Sequence, residues 1–341
     1  MKRYDNLDGL RSISCICIIA MHIQANAKYN LYPLTEKVVL SWTHFVPLFL
    51  TISGFGMFCG YYERFQNNNI SLNEFYTKRL KKTLPFFTFL IALDIILSRS
   101  VSHIIEGVME ITMSFGLLPN NNLSVIGVSW TLGVIFLFYM LFPYIVFLFW
   151  NLKRSVFVFL ISIVISLFCS SYFFSDSFVI PSFVPRHCFL YCTPFFFGGG
   201  IVYLFRNKIE NIVNKNRWLF LLGIIAIVFL WYNTPWTIKN TDISMIKNLI
   251  LFMPILMYSI SVKSIILSNG VVKRISSISL ELYLAQMVVY RMAEKLKVLY
   301  LFGRGFFSFV FVCVLVVAGL LCFIGVYNFS LVLINRKFAK K

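Results

Sequence analysis

The feature that most constrains this 341-residue chain is a series of ten apolar runs, roughly 8–26, 38–60, 84–98, 128–150, 155–174, 188–205, 218–232, 245–262, 278–291 and 305–334. Most approach the ~20 residues that carry a helix across the ~30 Å hydrocarbon core of a bilayer. Inside lipid every backbone N–H and C=O must be satisfied internally, which leaves helices and closed barrels. A barrel needs short segments of alternating polarity, and the sequence has none. The prediction is an all-α, polytopic membrane protein of about ten transmembrane helices, forming one integral membrane domain over residues 1–341. Charged residues are 13% of the chain, about half the ~25% of a soluble domain. The third and ninth runs are short and are expected to extend into their flanks. Residues 101–118 carry Glu106 and Glu110 one turn apart among apolar residues, the pattern of an interfacial amphipathic helix rather than a span.

The formal net charge is +18, a value that raises the question of nucleic acid. Placement answers it. With the N-terminus inside, the inward segments 1–11, 61–83, 151–155, 206–217, 263–277 and 335–341 hold 21 of the 31 Lys and Arg residues. This is the positive-inside bias, and it predicts both termini in the cytoplasm. One loop dissents, since 291–304 is basic on the outer side. No soluble domain exists to carry a nucleic-acid surface. Membrane lipids are the expected surroundings, and the bacterial inner (plasma) membrane the expected location. The first run lacks a small-residue cleavage site after it, so it reads as a retained span.

The eight cysteines carry little signal. Cys15, Cys17, Cys59, Cys169, Cys313 and Cys322 sit in apolar runs and read as small hydrophobes. Cys188 and Cys192 are one helical turn apart without a Cys/His set at zinc spacing. Neither a disulfide framework nor a metal site is expected.

Chemistry concentrates in three places. The stretch "DGLRSISCICIIAMHI" places Arg11 and His22 eleven positions apart. That is close to three helical turns, so both fall on one face, about 16 Å apart along the axis. One reading has Arg11 snorkelling to the interface and His22 hydrogen-bonding between helices. The other makes His22 a general base that takes a proton from a hydroxyl, with Arg11 neutralising an anionic group. In "VPLFLTISGFGMF", Ser53 and Gly54 form a small pair that permits close backbone approach. In "EFYTKRLKKTLPFF", Lys78 and Lys81 read as positive-inside anchors, whereas Arg79 and Lys82 are i, i+3 on a face that can grip phosphates.

In combination, "LDGLRSISCICIIAMH", "VPLFLTISGF" and "FYTKRLKKTLP" resemble the acyltransferase-3 family of integral membrane O-acyltransferases. Further motifs follow in family order: "SWTLGVIFLFYMLFP", "RHCFLYCTPFFFGGG" and "ISSISLELYLAQMVVY". The resemblance covers nearly the whole chain. It implies transfer of an acyl group, commonly acetyl, from cytoplasmic acyl-CoA to a sugar, exopolysaccharide or lipid-linked glycan hydroxyl. It implies that His22 and Arg11 are required and that Arg79 and Lys82 serve the donor; Arg11 and Ser53 are further candidates for donor binding. Trp130 and Tyr139 become supporting parts of the site.

Two departures stand out. Ile135 and Phe136 occupy positions where many members carry glutamates, and Gln286 stands where many have a second histidine. That leaves Glu281 and Asp94 as intramembrane carboxylates, each able to orient His22 or to pair with a neighbouring basic residue. His44, His103 and His187 read as interfacial. The rival function is a transporter or flippase for a glycan or small metabolite. Such proteins often show related halves with broken helices in matching places, and the sequence shows neither.

Overall fold

A computed structural model describes residues 3–117, 123, 125–174, 177, 183–238 and 241–338. Three basic residues used above for orientation (Lys2, Lys340 and Lys341) lie outside the described residues. In chain order the helices are α1 Asn6–Ala27, α2 Pro33–Ser41, α3 Phe45–Met57, α4 Glu63–Gln66, α5 Leu72–Ser98, α6 Val101–Thr112, α7 Trp130–Leu148 and α8 Leu152–Phe168. They continue as α9 Phe189–Leu204, α10 Arg206–Lys215, α11 Arg217–Asn233, α12 Ser244–Ser261, α13 Ile265–Ser268, α14 Gly270–Ser277, α15 Ser279–Lys295 and α16 Phe306–Phe338. A two-residue ribbon, β1 Thr237–Ile238 with β2 Thr241–Asp242, closes the turn between α11 and α12.

Each of the ten expected segments holds a helix. Among the described residues, six helical runs are long and apolar enough to cross a bilayer. These are Asn6–Ala27, Pro33–Gln66, Trp130–Leu148, Leu152–Phe173, Ser244–Ser261 and Phe306–Ile334. A seventh is possible only if α9 and α10, bent by 76°, count as one broken span. The protein is thus a multi-pass, all-α membrane protein. The third run does extend into its flank: α5 starts at Leu72, where Ser71 caps it by accepting the Glu74 N–H at 3.1 Å.

The chain divides into two compact units, and the division falls inside α1. The first unit comprises Met1–Leu10 and Val46–Val272; the second comprises Arg11–Phe45 and Lys273–Lys341.

The first unit is packed with aromatic rings. Phe196 stacks on Phe138 at 4.2 Å, and Phe142 lies edge-on to Phe58 at 5.5 Å. Its tightest helix contact joins the two small-residue stretches. A Cβ on Gly54 would fall on the carbonyl oxygen of Phe196, and one on Gly199 would fall on that of Thr51. At this crossing α3 and α9 meet backbone to backbone, which only glycine allows. Helices α8 and α9 run antiparallel, with the Ser166 hydroxyl donating to the Tyr191 carbonyl at 3.0 Å.

In the second unit α1 and α15 run in the same direction. The Cys15 thiol, near the middle of α1, donates to the carbonyl of Ser279, the first residue of α15, at 3.5 Å. Beyond their far ends Tyr300 Oη donates to the Ala27 carbonyl and Tyr29 Oη to the Leu299 carbonyl, at 2.9 and 2.7 Å. Helix α16 packs against α15, where a Cβ on Gly319 would press on Val289.

Candidate functional site

The first unit carries the basic motif. The four basic residues of α5 separate by environment. Lys78 pairs with Glu74 at 2.6 Å, the ordinary i, i+4 surface pair. Lys81 and Lys82 are exposed. Arg79 turns inward. Its guanidinium donates to Tyr61 Oη at 2.6 Å and reaches Met57 Sδ at 3.8 Å. Its Cζ lies 4.9 Å from the Tyr61 ring centre and 5.7 Å from that of Tyr139. Its Nε–H is buried without an acceptor among the described residues. A planar cation held by two tyrosines, with one N–H still unsatisfied, is a pre-organised donor for an anion. Tyr139 forms one wall beside the Arg79 guanidinium. Ser53 sits half-buried on α3, one residue before the Gly54 crossing.

Trp130 opens α7 and is buried. His187 stacks on it at 4.3 Å and 24°, while the Arg186 Cζ lies 5.7 Å from the same ring. Burial, aided by the Arg186 charge, pushes the His187 imidazole down to about 4, so it is neutral at physiological pH. The sequence alone places His187 after Arg186 at a helix start and does not join it to Trp130. The adjacent "RH" before an apolar helix was the available signal.

What fixes Trp130 is the preceding loop, and that loop is held by α6. Glu106 accepts the Val125 N–H at 2.8 Å, and Glu110 accepts the Ile126 N–H at 3.2 Å. Residues 101–118 were expected to form an interfacial amphipathic helix, and α6 does show apolar residues outward, with Val101, Ile105 and Val108 exposed. Its carboxylates, however, point into the protein rather than toward water. Glu110 is fully buried, and burial pushes its carboxyl up to about 8. Gly116 and Gly133 complete the support, since a Cβ on Gly116 would lie 2.9 Å from the Gly133 carbonyl oxygen.

Asp94, an intramembrane carboxylate able to orient His22, is engaged by a different histidine. Its carboxylate is taken by His103, with Oδ2 at 2.6 Å from Nδ1.

The second unit carries the Arg11 and His22 pair. Both lie on α1 and both are half-buried. The His22 carbonyl accepts from the Asn26 side chain at 2.7 Å. The parallel register of α1 and α15 locates the neighbours. His22 is seven residues past Cys15, and Gln286 is seven past Ser279. Both therefore stand about 10 Å up from the Cys15–Ser279 contact. Gln286 is buried; its Nε2 donates to the Tyr283 carbonyl at 2.9 Å. Its Oε1 is buried with no donor among the described residues. Glu281 lies lower, close enough to Cys15 to act on it electrostatically. Gln286 and His22 thus lie the same number of residues beyond the Cys15–Ser279 contact on their two helices.

A family model described as "Acyltransferase domain", that of acyltransferase-3, matches residues 4–327. No curated protein and no solved structure gives a match.

Proposed function

Since the chain belongs to the acyltransferase-3 family, and is accordingly a membrane acyltransferase, we propose that it is an O-acyltransferase using cytoplasmic acyl-CoA. The acyl group is acetyl in the first instance. The acceptor is a hydroxyl of a sugar, an exopolysaccharide or a lipid-linked glycan. The reading places the protein in the inner membrane with ten spans and both termini in the cytoplasm, as the distribution of Lys and Arg suggests.

The observation that carries the reading is the continuous α1 helix bearing Arg11 and His22 three turns apart. About 16 Å is comparable with an extended pantetheine arm, so the two side chains suit opposite ends of one donor. Arg79 and Lys82 take phosphates of the coenzyme, with Arg79 supplying the unsatisfied Nε–H. Ser53 lines the donor path. His22 removes the proton of the acceptor hydroxyl as its oxygen attacks the thioester carbon. The C–S bond then breaks, and the proton passes on to the departing thiolate. General-base assistance of this kind contributes about 10²–10⁴-fold. The Gln286 carboxamide oxygen is available to hold the imidazole or the incoming hydroxyl.

The test is transfer from radiolabelled acetyl-CoA by membranes carrying the wild type, His22→Ala or Arg11→Ala. Loss of transfer with normally inserted variants is expected. Full activity of inserted His22→Ala protein would overturn the assignment.

A further inference from the structure

Helices α8 and α9 are in an antiparallel register that brings two cysteines together. Gly198 faces the Phe159 ring, with a Cβ built there 3.5 Å away, and Ser166 bonds to Tyr191. Each step down one helix is matched by a step up the other. The next turn of that register brings Cys169, at the end of α8, opposite Cys188, at the start of α9. The two side chains are close enough to act on each other electrostatically. Cys169 is buried at 6% exposure and Cys188 is half-buried. The third nearby thiol, Cys192, is engaged elsewhere and donates to the Arg186 carbonyl at 3.2 Å.

We propose that Cys169 and Cys188 form a single disulfide bridge, made on the face of the membrane opposite the N-terminus. The placement rests on the N-inside topology proposed above; the pairing rests on the α8–α9 register alone. Cys188 is the attacking group. It stands at the N-cap of α9 and is the more exposed of the two thiols. Its thiolate attacks one sulfur of an oxidant disulfide, such as that of a dithiol–disulfide oxidoreductase, and expels a thiolate. Cys169 then attacks Cys188 Sγ in the mixed disulfide and expels the second. Two protein thiols are oxidised, and one disulfide is reduced to two thiols.

The bridge would close the chain between the end of α8 and the start of α9. Arg186 and His187, which lie against Trp130, immediately precede Cys188. Its effect is to tie that aromatic platform to α8 and to restrict the unfolded chain.

The experiment uses the full chain in intact cells, with and without oxidised glutathione, which does not cross the membrane. Free thiols are blocked with N-ethylmaleimide, and tryptic peptides are read by mass spectrometry without reduction. The expected product joins peptide 155–186 to peptide 187–206 and separates on reduction. Cys169→Ser and Cys188→Ser should abolish it; Cys192→Ser should leave it. A link that appears only in inverted vesicles keeps the pair and overturns the N-inside orientation. Recovery of both cysteines as alkylated thiols in both preparations, or a Cys188–Cys192 link, would overturn the pairing itself.

Discussion

Trp130 and His187 stack face to face, their ring centres 4.3 Å apart. The imidazole is held near 4 against an ordinary 6.5, mainly by burial. Between those values the folded state binds fewer protons than the unfolded one. The stabilisation is therefore complete above pH 6.5 and is lost as pH falls toward 4. Thermal unfolding of the detergent-purified protein should show this decline, and His187→Phe should flatten it. An unchanged pH profile in that variant would refute the assignment.

Glu110 has the opposite sign. Its carboxyl is raised from 4.5 to about 8 by burial, so the folded state binds more protons in between. Stability is complete below pH 4.5 and is lost as pH rises through 8. Glu110→Gln, which retains an acceptor for the Ile126 N–H, should remove this loss. The melting temperature of the variant relative to wild type should rise between pH 6 and 9.

Arg79 and Lys82 differ in exposure, so they should differ in effect. Arg79→Ala should raise the KM for the acyl-CoA donor more than Lys82→Ala, because Arg79 is half-buried against Tyr61 and Tyr139 whereas Lys82 is exposed. Tyr61→Phe removes one hydrogen bond to the guanidinium and should raise the donor KM roughly five-fold, from the ~1 kcal/mol of a typical net hydrogen bond. Steady-state kinetics at saturating acceptor separate the three, and equal KM values in all would argue against a donor role.

Gln286 should act on turnover and not on donor affinity. Gln286→Leu is expected to lower kcat by about ten-fold, the loss of ~1.4 kcal/mol from a buried polar contact, with donor KM unchanged. A matching change in KM and an unaltered kcat would move Gln286 out of the proton-transfer machinery.

At the α3–α9 crossing there is no room for a methyl group. Gly54→Ala or Gly199→Ala sets a Cβ against backbone atoms that cannot step aside. Each should destabilise the protein by about 1–3 kcal/mol or more. The yield of monodisperse protein after solubilisation would report it.

The helical architecture was legible because lipid leaves a chain few alternatives and the apolar runs declare themselves. The Arg11–His22 pair was legible for the same reason, since one helix fixes the spacing of both. The supporting residues were not. Nothing in "EFYTKR" says that Arg79 turns inward while Lys82 stays exposed, because that depends on Tyr61, eighteen positions away. The α6 carboxylates were read as a polar face, and their hydrogen bonds go instead to loop N–H groups at 125 and 126. Gln286 is legible as a departure from a family pattern, but its matching offset with His22 from the Cys15–Ser279 contact is not.

Where α3 and α9 touch, neither helix offers a side chain. Interhelical angles are ordinarily fixed by ridges seated in grooves, and bare backbone has no such teeth. The angle between these two helices is therefore trimmed from the flanks, by Phe58 laid over Gly200 and by Phe196 lodged beside Phe138 and Phe142. Resizing one of those rings would swing one helix about the other without parting them.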